Sequence, residues 1–120
     1  MLFDNGDDRV FPAGVTCGTT GQPPCLYSTV PILDLDESAK TATLAFHPNT
    51  QDYSFFGGNA EVLKNNNVEY DECAAVPSGG SAIFEITQAS PSQIVWQMHI
   101  AGAFAYRAMR IPSLYPGVQW

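Results

Sequence analysis

The stretch Tyr53–Leu63 (YSFFGGNAEVL) lies near the middle of the chain and guides the interpretation of the segments on both sides. It begins with aromatic residues, which favour burial, and ends with the apolar pattern of a short strand. Gly57 and Gly58 stand between the two. Because glycine weakens a strand interior, such a pair marks a bulge, a sharp bend or a close approach to the backbone. The stretch therefore predicts a bulge or tight turn in an all-β domain, with a backbone platform at the mouth of a binding site as the alternative.

Short apolar or alternating segments, separated by polar turns, recur on both sides of this stretch. Within Gln93–Ile100 every second residue is apolar, which is typical of a strand with one buried face. We predict about eight short strands in meander order and no helix, the last of them at Phe104–Ile111. The predicted core contains Phe84, Ile86, Ile94, Trp96 and Met98. Four-stranded antiparallel blades of a β-propeller fit the spacing, and a β-sandwich is the competing fold.

Composition supports the all-β prediction and excludes several partners. The chain of 120 residues suffices for one modest domain, and 10 Gly with 9 Pro at only 14% charged residues suits strands and turns better than helices. The net charge of −7, with five Lys and Arg, leaves no basic face, so neither nucleic acid nor an anionic membrane is an expected partner. No apolar run approaches the roughly 20 residues that span a bilayer.

Cys17 and Cys25 flank a Pro- and Gly-containing loop with no apolar content to hold it. Their spacing is not that of a metal motif, so we predict a disulfide, worth roughly 2–3 kcal/mol on the loop-entropy model. A disulfide implies an oxidising compartment, and we therefore expect a periplasmic or secreted protein. Since no signal peptide follows Met1, the chain is expected to be a piece of a longer protein. Cys73 is left over, either free or paired outside this chain.

Arg9 follows a turn rich in Asp, Asn and Gly, and it is the first candidate for a site. An arginine held by Asp7 and Asp8 offers a rigid fork for sulfate, phosphate or carboxylate, while Asn5 supports the turn that aims it. The alternative is a structural salt bridge between Arg9 and either of these carboxylates.

Other polar residues give weaker signals. His47 and His99 lack the spacing of metal ligands, and an exposed position is predicted for both. Glu69, Asp71 and Glu72 form an acidic cluster that could bind a cation, although a solvated face is the favoured interpretation. We expect neither a metal site nor a cofactor.

Several segments, taken in order, carry a resemblance to a known family: Phe3–Gly6 with Arg9, Tyr27–Asp36, Lys40–Thr43, Gly58–Leu63 with Asn66, Phe84–Thr87, Val95–Trp96 and Tyr106–Pro112. Together they resemble the C-terminal part of the arylsulfotransferases, which are bacterial six-bladed β-propellers. The resemblance covers nearly the whole chain. Each motif is weak alone, but the ordered set is fairly specific.

The resemblance implies transfer of a sulfuryl group from an aryl sulfate to a phenol, without a nucleotide cofactor. In this family a histidine is transiently sulfurylated, with help from further His, Asn and Arg residues at the propeller centre. Arg9 matches the arginine after the Asp-Asn-Gly turn, which implies a role in binding the sulfuryl oxyanion. Glu61 stands where the sulfurylated histidine would fall. The chain is therefore expected to be incomplete or inactive alone, with the catalytic histidines upstream of Met1.

About eight strands would make two blades, which we assign to 1–52, with the disulfide-clipped loop, and to 53–120, with the C-terminal closure. A propeller needs closure to remove sheet edges, so the chain is expected to be a fragment. Its expected partners are aryl sulfate and phenol, together with the remaining blades or other protein subunits. The alternatives are a non-catalytic propeller scaffold or binding module, and an independent β-domain that associates through its unpaired edge.

Overall fold

The computed structural model describes residues 1–7, 13–14, 16–18, 20, 24–76 and 79–111. Within these ranges the chain forms eight strands and no helix, and every paired strand is antiparallel. The strands are β1 (Ile32–Asp36), β2 (Thr41–Phe46), β3 (Tyr53–Ser54), β4 (Asn59–Val62), β5 (Val68–Glu72), β6 (Ala75–Val76), β7 (Ser81–Ile86) and β8 (Ile94–Ile100). The all-β, antiparallel prediction is confirmed. No helix in the described part of the chain is long and apolar enough to cross a membrane.

The largest sheet has the order β4-β5-β7-β8, which follows the chain except for the short β6. β5 and β7 are the central strands, and every residue in both of them is buried. On one face Tyr70 lies opposite Phe84 with its ring stacked 5.2 Å away, centroid to centroid, and Val68 lies opposite Ile86. Val30 completes this core from outside the sheet. Alternating apolar residues on two adjacent strands thus place the core over the middle of the sheet.

The predicted core is only partly correct. Phe84 and Ile86 are buried, but Trp96 and Met98 are each 42% exposed, and Ile94 is also exposed. The register explains the difference, because Trp96 lies opposite Glu85 and Met98 opposite Ile83, on the face away from Phe84. β8 is moreover at the edge of the sheet, so its side chains have neighbours on one side only.

β1 and β2 form a separate two-stranded hairpin. The carboxylate of Asp36 closes its turn by accepting hydrogen bonds from the backbone N–H groups of Ser38 and Ala39, at 2.9 Å each. The base of the hairpin packs on the core through the partly buried Ile32 and Phe46. Beyond its base the hairpin is exposed, including a group of apolar side chains that share one face: Leu33, Leu35, Ala42 and Leu44.

Phe104–Ile111 is not the predicted strand. We call it the return segment, because it turns back after β8 and runs over the sheet face opposite the core. It makes no ladder pairing within the described residues, and side chains of the sheet hold it instead, together with one backbone hydrogen bond from Gly58. The alternating sequence that predicted a strand leaves Phe104, Tyr106 and Met109 more than 60% exposed.

The described parts join across the predicted boundary at residue 52. Asn5 donates to the carbonyl oxygens of Ser54 (2.6 Å) and Gly57 (3.0 Å), and the backbone N–H of Gln51 donates to Glu72 at 2.7 Å. The division into blades at 1–52 and 53–120 stays a prediction. The predicted disulfide between Cys17 and Cys25 is present, with an S–S distance of 2.08 Å.

The molecule is flat. Its principal extents are 57 × 46 × 23 Å, and its radius of gyration is 16.1 Å. A compact domain of this length would have a radius of gyration of about 14 Å. The larger radius of gyration follows from the projecting hairpin and from the sheet, whose core packing is confined to its centre.

Candidate functional site

A row of three carboxylates crosses the face of the large sheet opposite the core. The register places Glu61 of β4 directly opposite Glu69 of β5, and Glu69 directly opposite Glu85 of β7. Like charges at directly opposite positions repel and destabilise a sheet. The row therefore requires a compensating cation or proton.

Arg110 of the return segment supplies the cation. Its guanidinium lies 2.5 Å from a carboxylate oxygen of Glu69 and 2.5 Å from one of Glu85, and its backbone N–H donates to Glu61 at 2.9 Å. The guanidinium also lies 5.4 Å from the ring centroid of Trp96, which follows Glu85 in the row. A single residue thus joins the return segment to all four strands of the sheet, to β4 through its backbone and to β5, β7 and β8 through its side chain.

The two carboxylates bound to Arg110 have different proton affinities. Hydrogen bonds from Asn67 and Asn65, together with Arg110, lower the pKa of Glu85 to about 2. Burial raises the pKa of Glu69, and this effect outweighs the opposing attraction of Arg110. Glu69 lacks the two amide donors that stabilise Glu85, which accounts for the difference.

A groove of about 400 Å³ lies beside this network, between β8 and the return segment. Trp96, Met98 and Met109 form its apolar wall, and Glu69 with Arg110 forms its polar end. Because Arg110 is already paired with two carboxylates, it does not offer a free fork for an oxyanion. Among the described residues that line the groove there is no His or Cys that could act as a nucleophile.

β5 also carries two fully buried carboxylates on opposite faces. Glu72 accepts hydrogen bonds from the backbone N–H groups of Gln51 (2.7 Å) and Asp52 (3.1 Å) through one oxygen. Among the described residues, its other oxygen and both oxygens of Asp71 have no hydrogen-bond partner. Burial raises the pKa of each of these two carboxyl groups to about 7. The prediction of a solvated acidic face is therefore wrong, because β5 is a central strand covered on both sides.

The glycine pair is a point of close approach within the chain. Gly57 and Gly58 have φ angles of 66° and 89°, which favour glycine. A Cβ atom at Gly57 would stand 2.8 Å from the Cβ of Cys73, and one at Gly58 would stand 2.6 Å from the carbonyl oxygen of Asp71. The predicted tight turn is present, and the chain itself occupies the space that the platform hypothesis left for a ligand.

The remaining predicted site residues are distributed as follows. Arg9 lies outside the described residues. Asn5 binds the turn at Ser54–Gly57 through its side chain, and Glu61 binds the backbone of the return segment. His47 and His99 are exposed, as predicted, and His99 packs edge-on against Phe84.

Sequence reasoning missed both the acidic row and Arg110. The sequence contains one signal for them. Val68–Glu72 (VEYDE) stands between two other strand patterns in a meander, and this position predicts a central strand despite the acidic residues. Within the described ranges no cluster of His, Cys, Asp or Glu has the arrangement of a metal site.

Comparisons with known proteins give no further assignment. No protein-family model matches the chain, and neither the curated proteins nor the solved structures contain a match to it.

Proposed function

We propose that this chain is part of a larger β-propeller of the arylsulfotransferase type and contributes to sulfuryl transfer from an aryl sulfate to a phenol. The main support for this proposal is that the sheets are incomplete. A four-stranded meander lies beside a two-stranded hairpin, and the apolar side chains on one face of that hairpin are exposed. A meander in chain order is the topology of a propeller blade. An isolated two-stranded hairpin is marginal in water, so the hairpin favours a blade completed by strands from outside the described residues.

The disulfide supports an oxidising compartment for the whole protein, which we propose to be periplasmic or secreted. Such a location suits a sulfuryl transfer that draws on an aryl sulfate and needs no nucleotide. The proposal includes no metal or cofactor.

In the proposed reaction a nucleophile attacks the sulfur atom of the aryl sulfate and the aryl oxygen leaves. The oxygen of the acceptor phenol then attacks the same sulfur atom, the bond between sulfur and the nucleophile breaks, and the phenol proton passes to the released nucleophile. Arg9 would bind two sulfuryl oxygens, because a guanidinium fork matches such oxygen pairs and charge-assisted bonds are roughly twice as strong as neutral ones. Since Glu61 stands at the position where the resemblance places the nucleophilic histidine, the nucleophile would come from outside this chain.

Replacing Arg9 with lysine in the longer protein should lower the turnover of an aryl sulfate such as 4-nitrophenyl sulfate by at least tenfold. Lysine keeps the charge but loses the two parallel bonds to the sulfuryl oxygens. Release of 4-nitrophenol measures turnover, and thermal unfolding measures stability. Arg107→Lys is the matched control, since Arg107 is exposed and stacks on Tyr106. If Arg9→Lys kept wild-type turnover, Arg9 would not be part of the site. If this variant also lost thermal stability, the structural salt bridge would be favoured.

A second candidate function, a non-catalytic propeller scaffold or binding module, is favoured by Glu61. Its carboxylate accepts the backbone N–H of Arg110 and so acts as a structural ligand. The two candidates differ in a direct assay of the longer protein with an aryl sulfate donor and a phenol. Transfer above the rate of the buffer alone supports the enzyme, and its absence in a folded protein supports the scaffold.

A further inference from the structure

Asp71 is a buried acid that the proposed function does not use. It is fully buried, and neither of its carboxylate oxygens has a hydrogen-bond partner among the described residues. The register places it opposite Asn59 of β4 and Ile83 of β7, on the sheet face that the return segment crosses. A charged carboxylate without partners is costly to bury, so the closed structure favours the neutral, protonated form.

The return segment is fastened next to this acid. The side-chain amide of Asn59 donates to the carbonyl oxygen of Ala108 at 2.5 Å and accepts from its N–H at 2.7 Å. One residue earlier, the N–H of Gly58 donates to the carbonyl oxygen of Tyr106 at 3.1 Å. A residue that holds the return segment through two hydrogen bonds therefore lies directly opposite Asp71.

The charged and titratable groups around Asp71 do not compensate a negative charge there. They are Glu61 of β4, Glu69, Glu72 and Cys73 beside it along the chain, Glu85 of β7, and Tyr106, Arg107 and Arg110 of the return segment. Arg110 is bound to Glu69 and Glu85, and Arg107 lies over the ring of Tyr106. Burial alone accounts for the raised pKa of Asp71, about 7, with no contribution from a cation.

We propose that Asp71 is a proton-dependent latch, which keeps the return segment closed over the sheet while its carboxyl group is protonated and releases it when the proton is lost to water. Release uncovers the sheet face that carries the acidic row. The proposal is independent of sulfuryl transfer, since it concerns only the covering of this face.

The direction with pH follows from the two forms of Asp71. In the closed form its pKa is about 7, and in an open, hydrated form it returns towards 3.8. Closure is therefore fully favoured below about pH 4, weakens between about pH 4 and pH 7, and changes no further above pH 7. Within this window the opening equilibrium rises by up to about tenfold per pH unit.

Hydrogen exchange on the full chain tests the latch. The N–H groups of Gly58, Ala105 and Ala108 are the reporters, since each is hydrogen-bonded across the contact with the return segment. After correction for intrinsic exchange rates, their opening equilibrium should increase at least tenfold from pH 5 to pH 7 in the wild type. The amides in the centre of β5 and β7 should stay far more strongly protected than these reporters at both pH values, because the sheet stays folded when the return segment opens.

Two variants separate Asp71 from the neighbouring acid. Asp71→Asn should abolish the increase at the return segment. Glu72→Gln should retain it, because Glu72 lies on the other face and binds the backbone at Gln51 and Asp52. An equal pH response of the reporters in wild type and Asp71→Asn would overturn the proposal. Reporters as strongly protected as the central strands would also overturn it, because the return segment would then open only by global unfolding.

A direct titration covers the case in which Asp71→Asn does not fold. The carboxyl carbon resonance of Asp71 in the wild-type chain should titrate near pH 7, together with the amide resonances of the return segment. A midpoint near pH 4, or a titration that leaves those amide resonances unchanged, would overturn the latch.

Discussion

Gly58→Ala is expected to lower the free energy of unfolding by about 3 kcal/mol, a larger loss than we expect for Gly102→Ala. The left-handed conformation alone costs alanine roughly 1–2 kcal/mol. The new Cβ would stand 2.6 Å from the carbonyl oxygen of Asp71 and 2.9 Å from the ring of Phe3, and such overpacking typically costs a further 1–3 kcal/mol. The oxygen belongs to the backbone of a central strand, so it cannot move aside cheaply. Thermal unfolding should show a drop of about 10 °C or more.

Gly102→Ala is the matched control. Gly102 has a φ angle of 70°, close to that of Gly58, but a Cβ atom there would meet nothing within 4 Å. The control therefore carries the conformational cost without the collision, and about 1–2 kcal/mol is expected. Equal losses in the two variants would show that Gly58 does not approach β5 as described.

Phe84→Ala is expected to cost about 3–5 kcal/mol, the usual range for a buried aromatic residue replaced by alanine. Phe84 is only 3% exposed and stacks on Tyr70 in the centre of the core. Its removal leaves a cavity between two central strands that pair throughout their length, so neighbouring groups can collapse into it only partly. Chemical denaturation with the m value checked for each variant measures the loss.

The cost of Trp96→Ala should be compared with that of Phe84→Ala, because the alternating sequence predicts that Trp96 and Phe84 lie in one core. In the structure Trp96 lies on the opposite face of an edge strand and is 42% exposed. We therefore expect a cost of about 1–1.5 kcal/mol, mostly from lost packing and from the contact with Arg110. A loss as large as that of Phe84→Ala would restore the single core that the alternation predicts.

The sequence predicted the all-β class and the disulfide because both depend on local signals. Turn residues and alternation mark strands, and Cys17 and Cys25 flank a loop with nothing else to hold it. The tight turn at Gly57 and Gly58 could also be predicted from a local signal, since two adjacent glycines are rarely needed outside a turn or bend. Such features can be recognised without knowing which strands are neighbours.

The errors all concern which strands are neighbours. The acids of β5 look solvent-exposed until β4 and β7 are placed on either side of them, and Trp96 looks buried until β8 is placed at the edge. The return segment has the alternation of a strand, yet side-chain hydrogen bonds hold it where no strand pairs with it. Arg110 could not be assigned to the acidic row before the return segment was placed over the sheet.

Hydrogen exchange of the isolated chain tests most directly whether it is an incomplete unit. The β1–β2 hairpin has an exposed apolar face and contacts the core only at its base, whereas β5 and β7 are buried throughout. Local opening should therefore be easy in the hairpin and rare in the central strands. We predict protection factors below about 10 for the N–H groups of Leu33–Leu35 and Ala42–Leu44, and above about 1,000 for those of β5 and β7. Equal protection of the hairpin and the central strands would contradict the account, because the hairpin would then need no further strands.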